Sequence, residues 1–251
     1  MARKRFELTA LSLHILAMIC MVFDHAWASV VSGNLWMNCV GRLTFPIFAF
    51  LIVEGYFHTG NFKKYVTRMF FFALLSEIPM NMLYNGSYLY PFHQNVLWTF
   101  LIALLAMKLI DRVRETKKPA AAVILTALIV LFSTLLGLVS MVDYNAPGIL
   151  TVFAFYFFHG RKWYHYLGQF LVLYWLNVDL LRGMDLPLSL FGFDFFFPTQ
   201  GFALFALIPI WLYRGKQGLH NRWIQYGCYA FYPVHMMLLG ILANPSLIGL
   251  S

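Results

Sequence analysis

Long apolar runs alternate with short polar connections along the whole chain, and this alternation predicts a bundle of transmembrane helices. An apolar run of about 17–25 residues is long enough to cross a bilayer as a helix. The runs predict about nine spans, in a range of about eight to ten. Their predicted limits are 8–31, 39–57, 65–84, 95–111, 119–141, 147–160, 164–181, 200–213 and 224–247. The segment GFDFFFP, 192–198, is predicted to be an interfacial or re-entrant piece.

The composition supports the same fold class. Of the 251 residues, 61% are hydrophobic and only 11% are charged, whereas soluble domains carry about 25% charged residues. No polar stretch is long enough to form a separate soluble domain. We therefore expect an all-α, polytopic membrane protein in which residues 1–251 form one integral membrane domain.

The basic residues predict the orientation of the bundle. Of the 18 Lys and Arg residues, all except Arg42 and Arg182 fall on alternate connections between the predicted spans. Cytoplasmic connections of membrane proteins carry the excess of Lys and Arg, so the N-terminus is predicted to be cytoplasmic. The basic connections contain Arg3, Lys4 and Arg5; Lys63, Lys64 and Arg68; Lys108, Arg112, Arg114, Lys117 and Lys118; Arg161 and Lys162; and Arg214, Lys216 and Arg222.

The net charge and the cysteines point away from two classes of ligand. The net charge of +8 is spread over short connections, so it indicates topology and no nucleic-acid partner is expected. Cys20, Cys39 and Cys228 lie far apart in the sequence and have no metal or redox spacing. We interpret them as small apolar fillers and expect no metal.

Ionisable side chains interrupt the predicted spans at a few positions. In MVFDHAW, Asp24 and His25 lie side by side near the outer end of the first span. Such groups cost about 2.5–3.5 kcal/mol each inside a membrane and usually mark function. His25 and Glu77 both lie roughly 9 Å below the predicted outer surface. The polar set within the spans or at their ends is His14, Asp24, His25, Arg42, Glu54, Glu77, Gln94, Asn95, Asp143, Gln200 and His235.

Most of this polar set converges on the outer half of the membrane, which predicts a polar cavity opening outward. In such a cavity Arg42 and Glu77 could neutralise each other. The alternative is structural: Arg42 and Glu77 form a tether between helices, and His25 is hydrogen-bonded as part of the packing.

Asp24 and His25 are expected to have different roles. Adjacent helical residues point about 100° apart, so they cannot both point to one pocket centre. The imidazole of His25 suits acid–base chemistry near neutral pH, whereas Asp24 is expected to pair with Arg42 or to orient another donor. His14 lies on nearly the same helix face as His25 and could extend a polar path towards the cytoplasm; a buried and satisfied His14 is the alternative.

Several motifs resemble one known family. They are MVFDH, GRLTFPIFAFLIVEGYFHTGNFKKY, ALLSEIP, QNVLWT and FYPVH, and the resemblance to the TraX family covers essentially the whole chain. That family's named member is an inner-membrane acetylase of conjugative pilin, and the family resembles a wider transmembrane acyltransferase superfamily. The resemblance implies location in a bacterial cytoplasmic (inner) membrane and transfer of an acetyl group from cytoplasmic acetyl-CoA. The acceptor at the outer face would be a peptide N-terminus, such as that of a pilin, or an envelope glycan.

The resemblance and the polar pattern together predict a set of site residues. His25 is expected to be the general base or a transiently acylated nucleophile. Arg42 would stabilise the developing negative charge, and Asp24 or Glu77 would orient the pocket. The expected acceptor-binding residues are Gln94, Asn95, Asp143, Tyr144 and His235, and the expected donor-binding residues are His14, Glu54, Lys63 and Lys64.

Two other function classes fit the same residues. A transporter could use buried charges as an ion or solute relay, although no convincing pair of Gly/Pro-interrupted repeats is visible. A non-catalytic assembly factor of a conjugation or envelope machine is the third interpretation. The enzyme interpretation alone requires that His25→Ala abolishes acyl transfer while the protein still inserts normally.

Overall fold

The computed structural model describes residues 7–190, 192–219 and 221–249, and within them the chain forms a helical bundle with one β-hairpin. Arg3, Lys4 and Arg5, on which part of the predicted orientation rests, lie outside the described residues. The helices are α1 (Ala10–Ser29), α2 (Leu35–Gly41), α3 (Thr44–His58), α4 (Phe62–Asn85), α5 (Val96–Thr116), α6 (Pro119–Val139), α7 (Asn145–Phe157), α8 (Trp163–Tyr174), α9 (Leu207–Leu212) and α10 (Arg222–Ala243).

Irregular helical segments extend three of these elements. A π-helix, Trp175–Leu181, continues α8, and a 3₁₀-helix, Thr199–Ala206, leads into α9. Another 3₁₀ turn, Pro245–Ile248, follows α10. Each predicted span contains helix, and most limits agree to within four residues. The exceptions are α5, which extends to Thr116 where the predicted limit is 111, and the second predicted span, which contains the two helices α2 and α3.

Short polar side chains determine where several helices begin. Thr9, Asn61, Asn95 and Asn221 each accept a hydrogen bond from a backbone N–H in the first turn of α1, α4, α5 and α10, respectively. These bonds satisfy amide groups that have no partner within the helix. The four caps explain why the helices start next to polar residues rather than fading into the connections.

The helices differ in how well they meet the requirements for crossing a membrane. In the described part of the chain, four segments are long and apolar enough by length and composition: Ala10–Ser29, Leu35–His58, Pro119–Val139 and Trp223–Ala243. Asn145–Phe157 and Thr199–Leu212 are apolar but shorter. The structure thus supports a membrane protein with several spanning helices, while the count of about nine and the orientation stay predictions.

The helical elements confirm the all-α class, and one β-hairpin is added to them, with segment 192–198 contributing its second strand. Strand β1 (Asp185–Leu190) pairs in antiparallel register with β2 (Phe193–Pro198), with Asp185 opposite Pro198. Gly192 has a φ of +83° in the turn between them, a conformation that glycine adopts without strain. Leucine alternates with other residues in DLPLSL, which is the period-two pattern of a strand. Hydrophobic run length alone does not reveal this pattern.

Packing separates an inner layer from a lipid-facing surface. Residues of α3, α5 and α7 dominate the buried core, including Ile47, Leu104 and Ile149. Helix α6 packs on α5 and α7, yet it leaves Val123, Phe132 and Val139 exposed at 70%, 69% and 76%. A continuous apolar surface of this kind is unfavourable in water but suits contact with lipid tails.

The two ends of the bundle have different chemistry. At one end, here called the basic end, α3 meets α4 at residues 59–61 and α9 meets α10 at residues 213–221. At the other, here called the hairpin end, lie β1, β2 and the connections 86–95 and 140–144. The distribution of Lys and Arg predicts that the basic end faces the cytoplasm.

Candidate active site

A long cavity of about 710 Å³ runs between α1, α3, α4 and α10. Its volume lies within the range of about 300–1,000 Å³ that is usual for ligand pockets. Helix α3 lines it with one continuous face, from Thr44 at the helix start to His58 at its end. At about 1.5 Å per residue these positions are about 21 Å apart. The cavity therefore connects the hairpin end with the basic end.

The polar residues that line the cavity fall into two groups. The group at the hairpin end comprises Asp24, His25, Arg42, Tyr84, His93, Asp143, Tyr144 and Gln200. The group at the basic end comprises His14, His58, Thr59, Tyr65, Arg68, Gln217 and Gln225. Phe45, Phe48, Leu51 and Phe100 line the wall between them. A polar site at each end, joined by an apolar passage, suits a ligand that is long and chemically different at its two ends.

His25 is joined to His235 across the interface between α1 and α10. Nδ1 of His25 lies 2.7 Å from Nε2 of His235. The ring planes differ by only 9°, and the centroids are 4.9 Å apart. This separation is what two imidazoles require when they meet edge to edge through their nitrogens, so the contact is an in-plane hydrogen bond rather than a face-to-face stack. Both residues are buried.

The backbone oxygen of Phe231 determines which nitrogens of this histidine pair carry a proton. Nδ1 of His235 lies 2.7 Å from the backbone oxygen of Phe231, and a carbonyl oxygen can only accept, so this nitrogen donates. In the neutral ring, Nε2 of His235 is then an acceptor, and Nδ1 of His25 must donate to it. Nε2 of His25 keeps its lone pair, and no described residue bonds to it. The chain thus presents an oriented base on the wall of the cavity.

Asp24 turns away from His25 and binds the guanidinium of Arg42. Its carboxylate contacts the guanidinium of Arg42 and also accepts from Nδ2 of Asn38 at 3.3 Å. Gly41 makes this close approach of α1 and α2 possible, because a Cβ atom there would overlap Cβ and Oδ1 of Asp24. The structure shows the predicted pairing of Asp24 with Arg42 and the predicted divergence of Asp24 from His25.

Arg42 is held from several sides yet keeps donors for a ligand. Nε donates to the Asn38 carbonyl at 3.4 Å, and Nη1 donates to Oε1 of Gln200 at 3.1 Å. Gln200 is oriented in turn by its own bond to Asn177 at 3.0 Å. A guanidinium carries N–H donors on all three nitrogens, two of them on each Nη. One N–H on each Nη remains outside these contacts, so Arg42 can still bind an oxyanion in the cavity.

The connection between α6 and α7 forms the rim of the cavity at the hairpin end. Oδ1 of Asp143 accepts from the backbone N–H of Tyr144 at 3.0 Å and lies 3.6 Å from Nε2 of His93. The Asp143 carboxylate raises the pKa of His93 above its usual value, and partial burial opposes this rise. The pair places one acidic and one basic group at the cavity mouth.

Strained backbone surrounds the same rim. Within the described ranges, the non-glycine residues with positive φ are Met141, Tyr144, Asn145 and Arg182. Met141 and Tyr144 lie in the connection that carries Asp143, Asn145 is the first residue of α7, and Arg182 precedes Gly183 in the cavity wall. Such conformations cost about 1–3 kcal/mol each and cluster at functional sites, so the strain supports a binding role for this rim.

Three predicted site residues at the hairpin end lie outside the cavity wall. Oε1 of Glu77 accepts from the backbone N–H of Asn95 at 3.1 Å and from Nε1 of Trp98 at 2.7 Å, and it also contacts Nδ2 of Asn95. Glu77 thus anchors the start of α5, and the predicted Arg42–Glu77 pair is wrong because Asp24 occupies Arg42. Asn95 caps α5, and Gln94 forms backbone bonds with the connection before α7.

Of the four predicted donor-binding residues, His14 lines the cavity, and the other three do not. His14 lines the cavity and bonds to the Ala10 oxygen at 2.9 Å. Glu54 lies outside the lining and accepts from Nε2 of His159 at 2.6 Å, which ties α3 to the end of α7. Lys63 and Lys64 are exposed on the first turn of α4 and do not line the cavity. The α4 side chains that line this end of the cavity are Tyr65, Arg68 and Met69.

Several polar residues of the cavity wall were not among the site residues predicted from the sequence. Tyr84, His93 and Tyr232 line the cavity, and the ring of Tyr84 meets His25 edge to face with centroids 5.8 Å apart. Tyrosines are common in membrane helices, so their identity alone gave no signal. His93 was detectable, since YPFHQN places a titratable group next to the predicted mouth. Within the described residues, His, Cys, Asp and Glu side chains form no group of three suited to a metal.

The fold and the cavity define a class: a helical membrane protein with an oriented histidine base and a guanidinium facing one internal passage. Sequence comparison gives the family. A family model described as TraX protein matches residues 10–243, and the chain belongs to this family. The chain is similar to the probable fimbrial assembly protein FimC, serogroup H1, of Dichelobacter nodosus. It is 27% identical to that protein over 257 residues, covering 94% of this chain and 96% of the relative. No solved structure matches.

Proposed function

We propose that this TraX-family protein is a membrane-embedded acetyltransferase. It takes an acetyl group from acetyl-CoA at the basic end of the cavity and passes it to an acceptor at the hairpin end. The acceptor is an amine or hydroxyl of a peptide N-terminus or an envelope glycan. With the predicted orientation in a bacterial inner membrane, the donor enters from the cytoplasm. The observation that carries this proposal is the chain from Phe231 through His235 to His25, which leaves Nε2 of His25 as a base in the cavity.

The reaction follows from this arrangement. Nε2 of His25 takes a proton from the acceptor while the acceptor N or O attacks the thioester carbonyl carbon. The carbonyl oxygen gains negative charge, which the remaining N–H groups of Arg42 stabilise. When the C–S bond breaks, the CoA thiolate takes the proton from His25 and leaves as CoA–SH. His235 stabilises the transient imidazolium because its Nε2 accepts from Nδ1 of His25.

A two-step route uses the same atoms. Nε2 of His25 first attacks the thioester carbonyl and forms an acetyl-imidazole, releasing CoA. The CoA thiolate released in the first step takes a proton from water. The acceptor then attacks the acetyl group and gives its proton to solvent, and the bond between the acetyl carbon and Nε2 breaks, which regenerates neutral His25. This route allows the donor and the acceptor to occupy opposite parts of the passage at different times, which matches the length of the cavity.

The test uses purified protein in detergent with labelled acetyl-CoA and acceptor peptides that have a free N-terminus, next to a set of glycans. His25→Ala is expected to lower transfer by about 10²–10⁴-fold, the usual contribution of a general base. His165→Ala removes a histidine outside the cavity lining and is expected to change transfer less than twofold. Label that remains on the protein and disappears in His25→Ala indicates the two-step route. Wild-type protein that transfers no label to any acceptor contradicts the proposal.

The similarity to the probable fimbrial assembly protein of Dichelobacter nodosus favours a second candidate, a non-catalytic assembly factor for a surface fibre. Under that function, the His25→Ala protein would support assembly as well as the wild type does. The enzyme function requires assembly and transfer to fall together, so measuring both on the same variants separates the two.

A further inference from the structure

Arg68 stands out among the charged groups of the cavity because it has no counterion there. It lies on the second turn of α4 and lines the cavity at the basic end. Among the described residues, no Asp or Glu lies within salt-bridge distance of it, in contrast to the pairing of Arg42 with Asp24. Its guanidinium carbon lies 5.7 Å from the ring centroid of Tyr229, so an aromatic face rather than a carboxylate supports it.

One atom of this guanidinium also lacks a hydrogen-bond partner. Within the part of the chain that the structure describes, Nε of Arg68 is shielded from solvent and has no acceptor. Leaving a buried donor unsatisfied costs about 1–3 kcal/mol, and more for a charged group. Such groups are rare in native structures, and binding of a ligand or ion is one of the explanations for them. The neighbouring polar lining, Thr59, Gln217 and Gln225, is neutral and cannot balance the charge.

The position of Arg68 defines which part of a ligand it can meet. His14, on the same end of the cavity, and His25 are about 16 Å apart along α1. A group bound at Arg68 therefore lies far from the acetyl group that His25 would attack. The passage between the two is lined by Phe45, Phe48 and Leu51. A ligand that fits has an anionic head, a long narrow arm and a reactive thioester at the far end of that arm.

We infer that Arg68 binds a phosphate group at the head of a pantetheine thioester, with coenzyme A as its source. This inference rests on the proposed function and adds the recognition of the donor to it. Guanidinium groups bind phosphate through paired N–H donors, and phosphate supplies the missing counterion and the missing acceptor for Nε together. Lys63 and Lys64, one turn earlier on α4, are exposed and do not line the cavity, so Arg68 is the α4 cation that the cavity presents to this group.

The experiment measures direct binding of CoA, 3′-dephospho-CoA and pantetheine to the purified protein by calorimetry, without any acceptor. Arg68→Gln is expected to weaken CoA binding by about 10–100-fold, as the loss of a charge-assisted bond predicts. Arg68→Lys retains part of the affinity, and Lys117→Gln removes an equal charge from an exposed side chain outside the cavity lining and changes affinity less than twofold. Pantetheine, which has no phosphate, binds wild type and Arg68→Gln alike. 3′-Dephospho-CoA lacks the 3′-phosphate but keeps the pyrophosphate, so it shows which phosphate Arg68 binds. If Arg68→Gln weakens its binding, Arg68 binds the pyrophosphate; if not, Arg68 binds the 3′-phosphate.

Each contrary result has one meaning. CoA binding that is equal in wild type and Arg68→Gln overturns the role of Arg68 while leaving the acetyltransferase intact. An equal loss of pantetheine binding in Arg68→Gln shows that the substitution damages the cavity, and this also overturns the inference. If the protein prefers a phosphopantetheine carrier protein to CoA, with the same dependence on Arg68, then the donor is the carrier protein, and the assignment of coenzyme A is overturned. Wild-type protein that binds none of these ligands contradicts both the inference and the proposed function.

Discussion

His25 and His235 meet edge to edge across α1 and α10, with Nδ1 of the first 2.7 Å from Nε2 of the second. They are 210 positions apart in the sequence, so only the tertiary fold brings them together. Because the Phe231 carbonyl fixes the tautomer of His235, it also fixes the tautomer of His25. His235 acts as a positioning residue, since it does not line the cavity.

Replacing His235 tests this relationship. His235→Phe keeps a planar ring but removes the acceptor, so Nδ1–H of His25 loses its partner and the ring can adopt the other tautomer. We expect kcat for acetyl transfer to fall about 10–100-fold, and binding of CoA to stay unchanged. A steady-state measurement of kcat and KM, with a pH profile, detects the difference. A variant with normal kcat would show that the histidine pair is only packing.

Substitutions at Asp24 and Arg42 separate charge balance from chemistry. Asp24→Asn leaves the Arg42 cation without its carboxylate, and we expect the free energy of unfolding to fall by about 3 kcal/mol. The double variant Asp24→Asn, Arg42→Gln removes both charges and should recover most of this stability, but not activity. Thermal unfolding and transfer assays on the three proteins form the comparison. Recovery of activity in the double variant would exclude Arg42 from the chemistry.

Gly41 lets α1 and α2 approach closely, and a methyl group there should disturb the site. In Gly41→Ala the added Cβ overlaps the Cβ of Asp24, an atom that cannot move without the backbone of α1. The two helices must therefore shift, at a cost of about 1–3 kcal/mol. Gly227→Ala on α10 is the matched control, since its added Cβ meets nothing within 4 Å. We expect only Gly41→Ala to lower both transfer activity and the unfolding temperature. Equal effects of the two substitutions would show that the close approach has no special role.

The sequence predicts the helices of this protein better than it predicts the site. Hydrophobic length is local, so the limits of α1 and α6 could be predicted to within two residues, whereas the charged last turns of α5 extend it five residues past its predicted limit. The pairing of Arg42 was ambiguous, because Asp24 and Glu77 both lie at a plausible depth, and helix rotation decides between them. His235 was detectable as a buried histidine, but its contact with His25 depends on how α10 packs. The β-hairpin was missed because six-residue apolar segments resemble parts of membrane helices.

Glu77 was predicted to orient the catalytic pocket, whereas in the structure it anchors the start of α5. Substitutions of Glu77 test which of these roles it has. Glu77→Ala removes the acceptor for Asn95 and Trp98, so we expect stability to fall by about 1–3 kcal/mol. Glu77→Gln keeps an acceptor oxygen and should retain most of the activity. Unfolding temperature and specific activity of the folded fraction are the two measurements. Complete loss of activity in a fully folded Glu77→Gln protein would restore Glu77 to the catalytic set.

His93 and Asp143 should make the rim at the hairpin end sensitive to pH. Because Asp143 raises the pKa of His93, the pair stabilises the fold fully below the unfolded pKa of about 6.5. This contribution is lost as the pH rises through the higher folded pKa. Both side chains are more than one third exposed, at 38% and 34%, so solvent screening limits the effect to below about 1 kcal/mol. We expect wild type to exceed His93→Gln in unfolding temperature at pH 6, and the difference to shrink by pH 8. Asp143→Asn should remove this dependence, whereas a difference that grows with pH would contradict the assignment.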